Sequence, residues 1–329
     1  MIENQLLYIA GSGRSGSTLL DMLLSRHTGI AALGEVHRLY MNLRNHTDSH
    51  KCTCGKFVQD CLYWEGVDKC LKEMGEENYV KGLSSLITTD PQNLNILDDE
   101  TGKNILEAVP RNIYGLKFSH ILLLLGSKRL FNLFSDLFPS INLVNRIAND
   151  SHVLYDAVRK ATGKQIVVDS TKTPMRLKSL YLLRPSQFKV IYLVRDGRAV
   201  SFARMRRQGI SMTHAAKIWK SEQVKLKAIL FTIPKEKVLS IRYEDLCTDT
   251  ENQLRRVCGF LGIDFEECMA KFDKEKSHSL GGNPMRWRRE ERKIVLNNTW
   301  YNDISQSQLE DFEKVAGHIN TRFGYDKNI

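Results

Sequence analysis

With 329 residues, 42% hydrophobic and 26% charged, the chain has the composition of a folded globular protein with a sizeable core, which excludes a disordered or collagen-like polypeptide. The formal net charge is +10. From Lys172 to Arg207, ten Lys or Arg residues stand against one acid, Asp196, a net of +9. Such a tract is either a solvated basic face or the mark of an anionic ligand: nucleic acid, acidic lipid or a phosphorylated nucleotide.

In chain order, the N-terminal MIENQLLYIAGSG lacks a basic region and a long apolar stretch. It does not read as a signal peptide, and a cytoplasmic location is expected. Leu6–Ala10 is a short apolar run before Gly11-Ser12-Gly13, hence a strand followed by a loop. Thr18–Ser25 has helical apolar spacing. Strand, glycine loop and helix open a nucleotide-binding α/β unit. The loop Gly11–Thr18 nearly fits G-x-x-x-x-G-K-[ST], with Gly11, Gly16 and Thr18 in place but Ser17 where the lysine belongs. The glycines let backbone N–H groups turn toward phosphate oxygens, and the helix N-terminus adds partial positive charge. The absent lysine serves the β- and γ-phosphates of nucleoside triphosphates, which counts against a kinase. Arg14 supplies a cation from an earlier position in the loop.

Four cysteines (Cys52, Cys54, Cys61 and Cys70) share one short stretch, and Cys247, Cys258 and Cys268 are scattered later. An odd number argues against a general disulfide framework. His50 with the early thiols suggests zinc, but C-x-C lacks the usual two-residue gap. Packing thiols and disulfides are equal alternatives, so no metal ligand is assigned. Residues 40–160 are mostly helical in pattern, as in Ser119–Phe138 and Val153–Ala161, and form a crossover long enough to be a subdomain or lid over an acceptor pocket. The densest apolar run, Ile121–Leu125, is far short of the roughly 20 residues of a spanning helix. Gln165–Asp169, Phe188–Val194 and Val238–Ile241 read as buried parallel strands. Ala199–Met205 and Glu251–Leu261 read as helices, the latter ended by Gly262. The fold expected is one α/β domain over residues 1–329: a mainly parallel sheet flanked by helices, P-loop nucleotide-kinase-like, with a helical insertion.

Gly13-Arg14-Ser15-Gly16-Ser17-Thr18-Leu19 resembles the 5′-phosphosulfate loop of sulfotransferases that use 3′-phosphoadenosine 5′-phosphosulfate (PAPS), nearest in pattern to bacterial, protein-tyrosine and carbohydrate types. Later landmarks follow in that family's order. Val190–Arg198 resembles its second signature, which implies that Arg195 holds the 3′-phosphate. The family's serine eight residues on is Ala203 here, leaving Ser201 or a basic residue such as Arg207 to substitute. Ile241–Leu246 resembles the family's R-Y-E-D-L segment, placing Tyr243 near the adenine. Gly282–Arg286 resembles the loop that closes over the nucleotide, with Arg286 facing the 3′-phosphate, helped by Arg288 and Arg289. The cysteine patch with Trp64 resembles a segment of many bacterial members.

For the chemistry, the resemblance implies that Glu35, in a Gly-Glu pair, is the general base; His37, two residues on, is near enough in sequence to contact the acceptor. The resemblance also implies that Lys172 stabilises the leaving phosphate together with Arg14. His120 is a rival base. The expected reaction carries a sulfonyl group from PAPS to a hydroxyl on a small molecule, glycan or lipid, releasing adenosine 3′,5′-bisphosphate. A metal is not required, because the transferred group carries less charge than a phosphoryl group. The rivals are a P-loop kinase of a small metabolite and a non-catalytic nucleic-acid-binding protein. Few aromatics interleave with the arginines as the latter's stacking platforms would require, so no nucleic-acid partner is expected.

Overall fold

The structure, a computed structural model, describes residues 4–44, 47–74, 81–86, 139–271, 277–287 and 293–326. The predicted helix Ser119–Phe138 lies outside them. Five parallel strands form one sheet: β1 (Gln5–Gly11), β2 (Ile30–Ala32), β3 (Ile166–Lys172), β4 (Phe188–Val194) and β5 (Val238–Arg242), in the order β2-β3-β1-β4-β5. Both faces of β1 are buried. Leu6, Tyr8 and Ala10 point into one core cluster, Leu7 and Ile9 into the other. That is the period-two alternation of a strand, and two covered faces are why these strands read as unbroken apolar runs.

The edge strand β2 carries no mark in the sequence. Its three residues, Ile-Ala-Ala, are too few to show a period, and pairing with Ile166–Val168 defines it. Before β3 come helices α1 (Ser17–Leu24), α2 (Leu39–Arg44), α3 (Leu62–Glu73) and α4 (Pro139–Thr162). After it come α5 (Pro174–Leu183), α6 (Gly197–Gln208), α7 (Met212–Phe231), α8 (Tyr243–Thr248) and α9 (Thr250–Leu261). Gly262 ends α9 in the left-handed region, φ 77°. Among the described residues no helix is long and apolar enough to cross a membrane.

The early cysteines do not all cluster, and His50 is not their neighbour. His50 Nδ1 lies 2.6 Å from Thr47 Oγ1. Cys52, Cys54 and Cys61 gather instead around His278, while Cys70 sits on α3.

Candidate active site

Strand order makes the site. The chain runs from β1 toward the β3 side of the sheet and from β4 toward β5, so the loops after β1 and β4 part and open a crevice at the strands' C-terminal ends. A cavity of about 1020 Å³ lies there. The loop after β1 lines it with Gly13, Arg14, Gly16, Ser17, Thr18 and Leu19. Helix α1 makes its first backbone bond from Leu20 N–H to Gly16 C=O, 3.1 Å, so the N–H groups of Ser17, Thr18 and Leu19 have no intrahelical partner. They face the cavity wall as the kind of helix terminus that favours an anion. Gly16 is obligatory at φ 92°: a Cβ there would lie 2.3 Å from the Tyr243 ring. Arg14 takes φ 75° without being glycine, a strained backbone of the kind that gathers at functional sites.

Ser15 has another part. Its hydroxyl donates to Ser12 C=O at 2.7 Å, bracing the turn from inside, and it is absent from the cavity wall. Thr18 Oγ1 accepts from Asn283 N–H at 3.1 Å, so residues near 283 are tied to the loop.

Across the cavity, Lys172 ends β3 at φ 76°, where the register with β1 slips between Tyr8 and Ala10. A bulge of this kind re-aims a side chain. The Lys172 ammonium donates to Glu35 Oε1 at 2.5 Å, and Arg38 lies 3.1 Å from the other carboxylate oxygen. All three residues line the cavity. Burial would raise the Glu35 pKa, but Lys172, His37 and Arg38 outweigh it and hold the carboxyl at about 2. His37 Nδ1 is 3.4 Å from Thr171 Oγ1, and His37 is not on the wall. His120 lies outside the described residues.

Beneath Lys172, Asp169 accepts from Arg176 Nε (2.9 Å), Tyr155 OH (2.7 Å) and Thr171 N–H (2.8 Å). Arg176 and Asp169 are wholly enclosed. The turn that presents Lys172 is thus fixed from below. Gly34, beside Glu35, is fixed the same way: its N–H donates to Asp21 at 3.1 Å, and Leu280 packs on it so closely that a Cβ would meet Leu280 C=O at 2.3 Å.

The basic tract divides. Arg176 pairs with Asp169, Arg184 with Asp156, Arg198 with Asp196 and Arg204 with Glu222. Lys172, Arg195, Arg206 and Arg207 reach the cavity. The guanidinium of Arg195 is held by the carbonyls of Arg14 and Asn297, each at 3.0 Å, and lies 4.3 Å from the Tyr243 ring centre. Tyr243 therefore both packs and lines the site.

Two expected ligand residues stand elsewhere. Ser201 is fully buried on α6 and does not line the cavity; Ala203, Arg206 and Arg207 do. Two residues along a helix is a different face. Arg286 is also buried, because the 3₁₀ turn Pro284–Trp287 points it inward. Its guanidinium abuts Gly34 and Gly282, feels the charges of Asp21 and Glu35, and has no hydrogen-bond partner among the described residues. It thus lies behind the Glu35 side and off the wall that Arg195 lines. Arg288 and Arg289 lie outside the described residues. Arg38, Lys293, Asn297 and Trp300 also line the wall, and no motif in the sequence marks them. The only signal for Trp300 is its rarity, four tryptophans in the chain.

Comparison with known proteins agrees with this architecture. The profile of a family described as the sulfotransferase family matches residues 7–267. No curated protein sequence matches. Among solved structures, the sulfotransferase domain from the Synechococcus PCC 7002 olefin synthase is similar, with TM-score 0.54 and 19% identity over 98% of this chain and 96% of that one. It shows a shared fold. The sulfotransferase domain of the curacin biosynthetic pathway follows at TM-score 0.48 and 17% identity, covering 98% of each chain. A sulfotransferase from Mycobacterium avium has TM-score 0.48 and 12% identity over 99% of this chain and 78% of that one.

Proposed function

The chain belongs to the sulfotransferase family, and from that premise we propose that it moves a sulfonyl group from PAPS to a hydroxyl acceptor with Glu35 as general base. The observation that carries this reading is the Lys172–Glu35 ion pair, 2.5 Å long, on the wall of the cavity that the phosphate loop and Arg195 also line. It supports the reading because a carboxylate and an ammonium stand side by side on that wall.

In this reading the loop N–H groups and Arg14 hold the 5′-phosphosulfate. Arg195, with Arg206 and Arg207 near it, provides charge for the 3′-phosphate, and Tyr243 packs toward the adenine. The ammonium of Lys172 turns from Glu35 to the oxygen bridging phosphorus and sulfur. Glu35 then loses its strongest partner, and its pKa rises from about 2 toward a value useful for accepting a proton. The acceptor oxygen attacks sulfur in line and its proton passes to Glu35. The bridging S–O bond breaks, and its electron pair leaves on the 5′-phosphate beside Lys172. The products are a sulfate ester and adenosine 3′,5′-bisphosphate. The acceptor's side of the pocket is proposed to come from the insertion 40–160, although none of its described residues lines the cavity. The acceptor is a hydroxyl on a small molecule, glycan or lipid, and the location is cytoplasmic.

Calorimetry without added metal tests the donor. Adenosine 3′,5′-bisphosphate should bind tightly and ATP weakly; preference for Mg-ATP would move the reading to a kinase. Glu35→Gln should lower turnover by about 10²- to 10⁴-fold with bisphosphate affinity little changed. Retained turnover transfers the base to His37 or His120.

A further inference from the structure

We infer that Cys52, Cys54, Cys61 and His278 form a structural zinc site, separate from the cavity and joined to it through one segment. The four ligand atoms lie within 4.8 Å of one another. Cys61 Sγ is 3.6 Å from Cys54 Sγ and 3.9 Å from Cys52 Sγ. His278 Nδ1 is 3.3 Å from Cys61 Sγ and 3.8 Å from Cys52 Sγ. A tetrahedral zinc ion with Zn–S of about 2.3 Å and Zn–N of about 2.0–2.1 Å requires S···S edges of about 3.8 Å and S···N edges of about 3.5 Å. Four of the six edges already fit that tetrahedron, and the other two lie within 4.8 Å. A disulfide accounts for them less well: it joins two sulfurs at about 2.05 Å and leaves a third thiol and an imidazole pressed against it.

Three thiolates and one imidazole are a closed donor set, the kind that holds zinc for structure and leaves no position for substrate. None of the four lines the cavity. The surroundings are those of a built site. Backbone N–H groups of Lys56 and Trp64 serve the sulfurs of Cys54 and Cys61. The Cys52–Lys56 turn is closed by Cys52 N–H to Lys56 C=O at 2.9 Å and Gly55 N–H to Cys52 C=O at 2.8 Å. The Tyr63 ring lies flat on His278, centroids 4.7 Å apart and planes within 2°, which fixes the imidazole's orientation as outer partners of metal ligands do. The single-residue gap of C-x-C is no obstacle, because Cys61 and His278 supply the other corners.

The consequence is mechanical. The metal bolts the Cys52–Cys61 loop to the segment that starts at His278. Next to it, Thr53 N–H donates to Ser279 C=O (3.2 Å), and Ser279 N–H donates to Thr53 Oγ1 (2.7 Å). Ser279 Oγ donates to Asp21 at 2.9 Å. Leu280 C=O accepts from Glu35 N–H at 2.7 Å, and Leu280 N–H donates to Leu33 C=O at 2.8 Å. Gly282, Asn283 and Met285 then line the cavity. The metal therefore holds the strip on which Glu35 and one cavity wall rest.

The test uses the full chain, grown with added zinc, purified without chelator and dialysed. Elemental analysis should find about one zinc per chain, released when a mercurial titrates the thiols. The apo chain given cobalt(II) should show tetrahedral d–d bands and thiolate charge transfer. His278→Ala should shift the d–d bands while keeping the charge transfer, and joint Cys52→Ser and Cys61→Ser should abolish both. Amides of 278–285 should exchange at least about tenfold faster in the apo chain, as expected when a local clamp is lost. Absence of stoichiometric zinc together with absence of a tetrahedral cobalt spectrum overturns the site. So does a Cys54–Cys61 disulfide in peptides from unreduced protein, or zinc retained by the double variant. If that variant does not fold, the wild-type cobalt spectrum decides. No arm involves donor or acceptor, so the outcome is independent of the sulfonyl-transfer reading.

Discussion

Glu35 carries the largest electrostatic tension among the cavity's acids. Its enclosure opposes ionisation, and Lys172, His37 and Arg38 reverse that effect. The folded pKa of about 2 lies below the ordinary 4.5, so the unfolded chain takes up the proton first as pH falls. The stabilisation is whole above pH 4.5 and is lost as pH drops toward 2, a loss on the order of 3 kcal/mol. Acid melting curves of the wild type should fall more steeply across that window than those of Glu35→Gln, which has no carboxylate to titrate; parallel curves would mean the pair adds nothing. Residue identity at Gly34-Glu35 and Lys172 was legible in the sequence through motif order. The direction of Ser15, Ser201 and Arg286 was not, because a motif names a residue and packing aims its side chain.

Among the elements, β3 shows how a strand end is made into a support for a cavity residue. Asp169 faces down to Arg176 of α5 and Tyr155 of α4, while Lys172 three residues on faces the cavity. Removing one partner of a wholly buried pair strands the other charge. Arg176→Met should therefore cost about 3–5 kcal/mol in denaturant unfolding. Asp169→Asn combined with Arg176→Met should recover much of the loss, since no unpaired charge remains. If the single and double variants are equally unstable, the pair is not what holds the turn. The expected strands lie where the structure has them because continuous apolar runs are the mark of a doubly covered parallel strand, though Gln165–Asp169 stops three residues short of β3's end at Lys172. Phe188–Val194 coincides with the structure, and Val238–Ile241 falls one residue short. Three-residue β2 carried no such mark.

At the scale of the whole molecule, the cavity draws on the loops after β1, β3, β4 and β5 and on residues beyond 280, so a ligand there ties both halves of the sheet together. At a hundredfold excess over its Kd, adenosine 3′,5′-bisphosphate should raise stability by about 2.7 kcal/mol. Adenosine 5′-monophosphate at the same concentration should do much less, and Arg195→Ala should erase the difference between them. Equal protection by the two nucleotides in the wild type would remove Arg195 from the 3′-phosphate role. The sequence by itself determined the strand–loop–helix opening, the loop lacking its lysine, the later strands and the parallel α/β class, because each is written in local spacing. Only the tertiary structure decided which four of ten basic side chains reach the cavity, that Glu35 meets Lys172 137 positions away, and that His278 joins Cys61 across 217. Those contacts are set by strand order and packing between distant segments, and no local period encodes them.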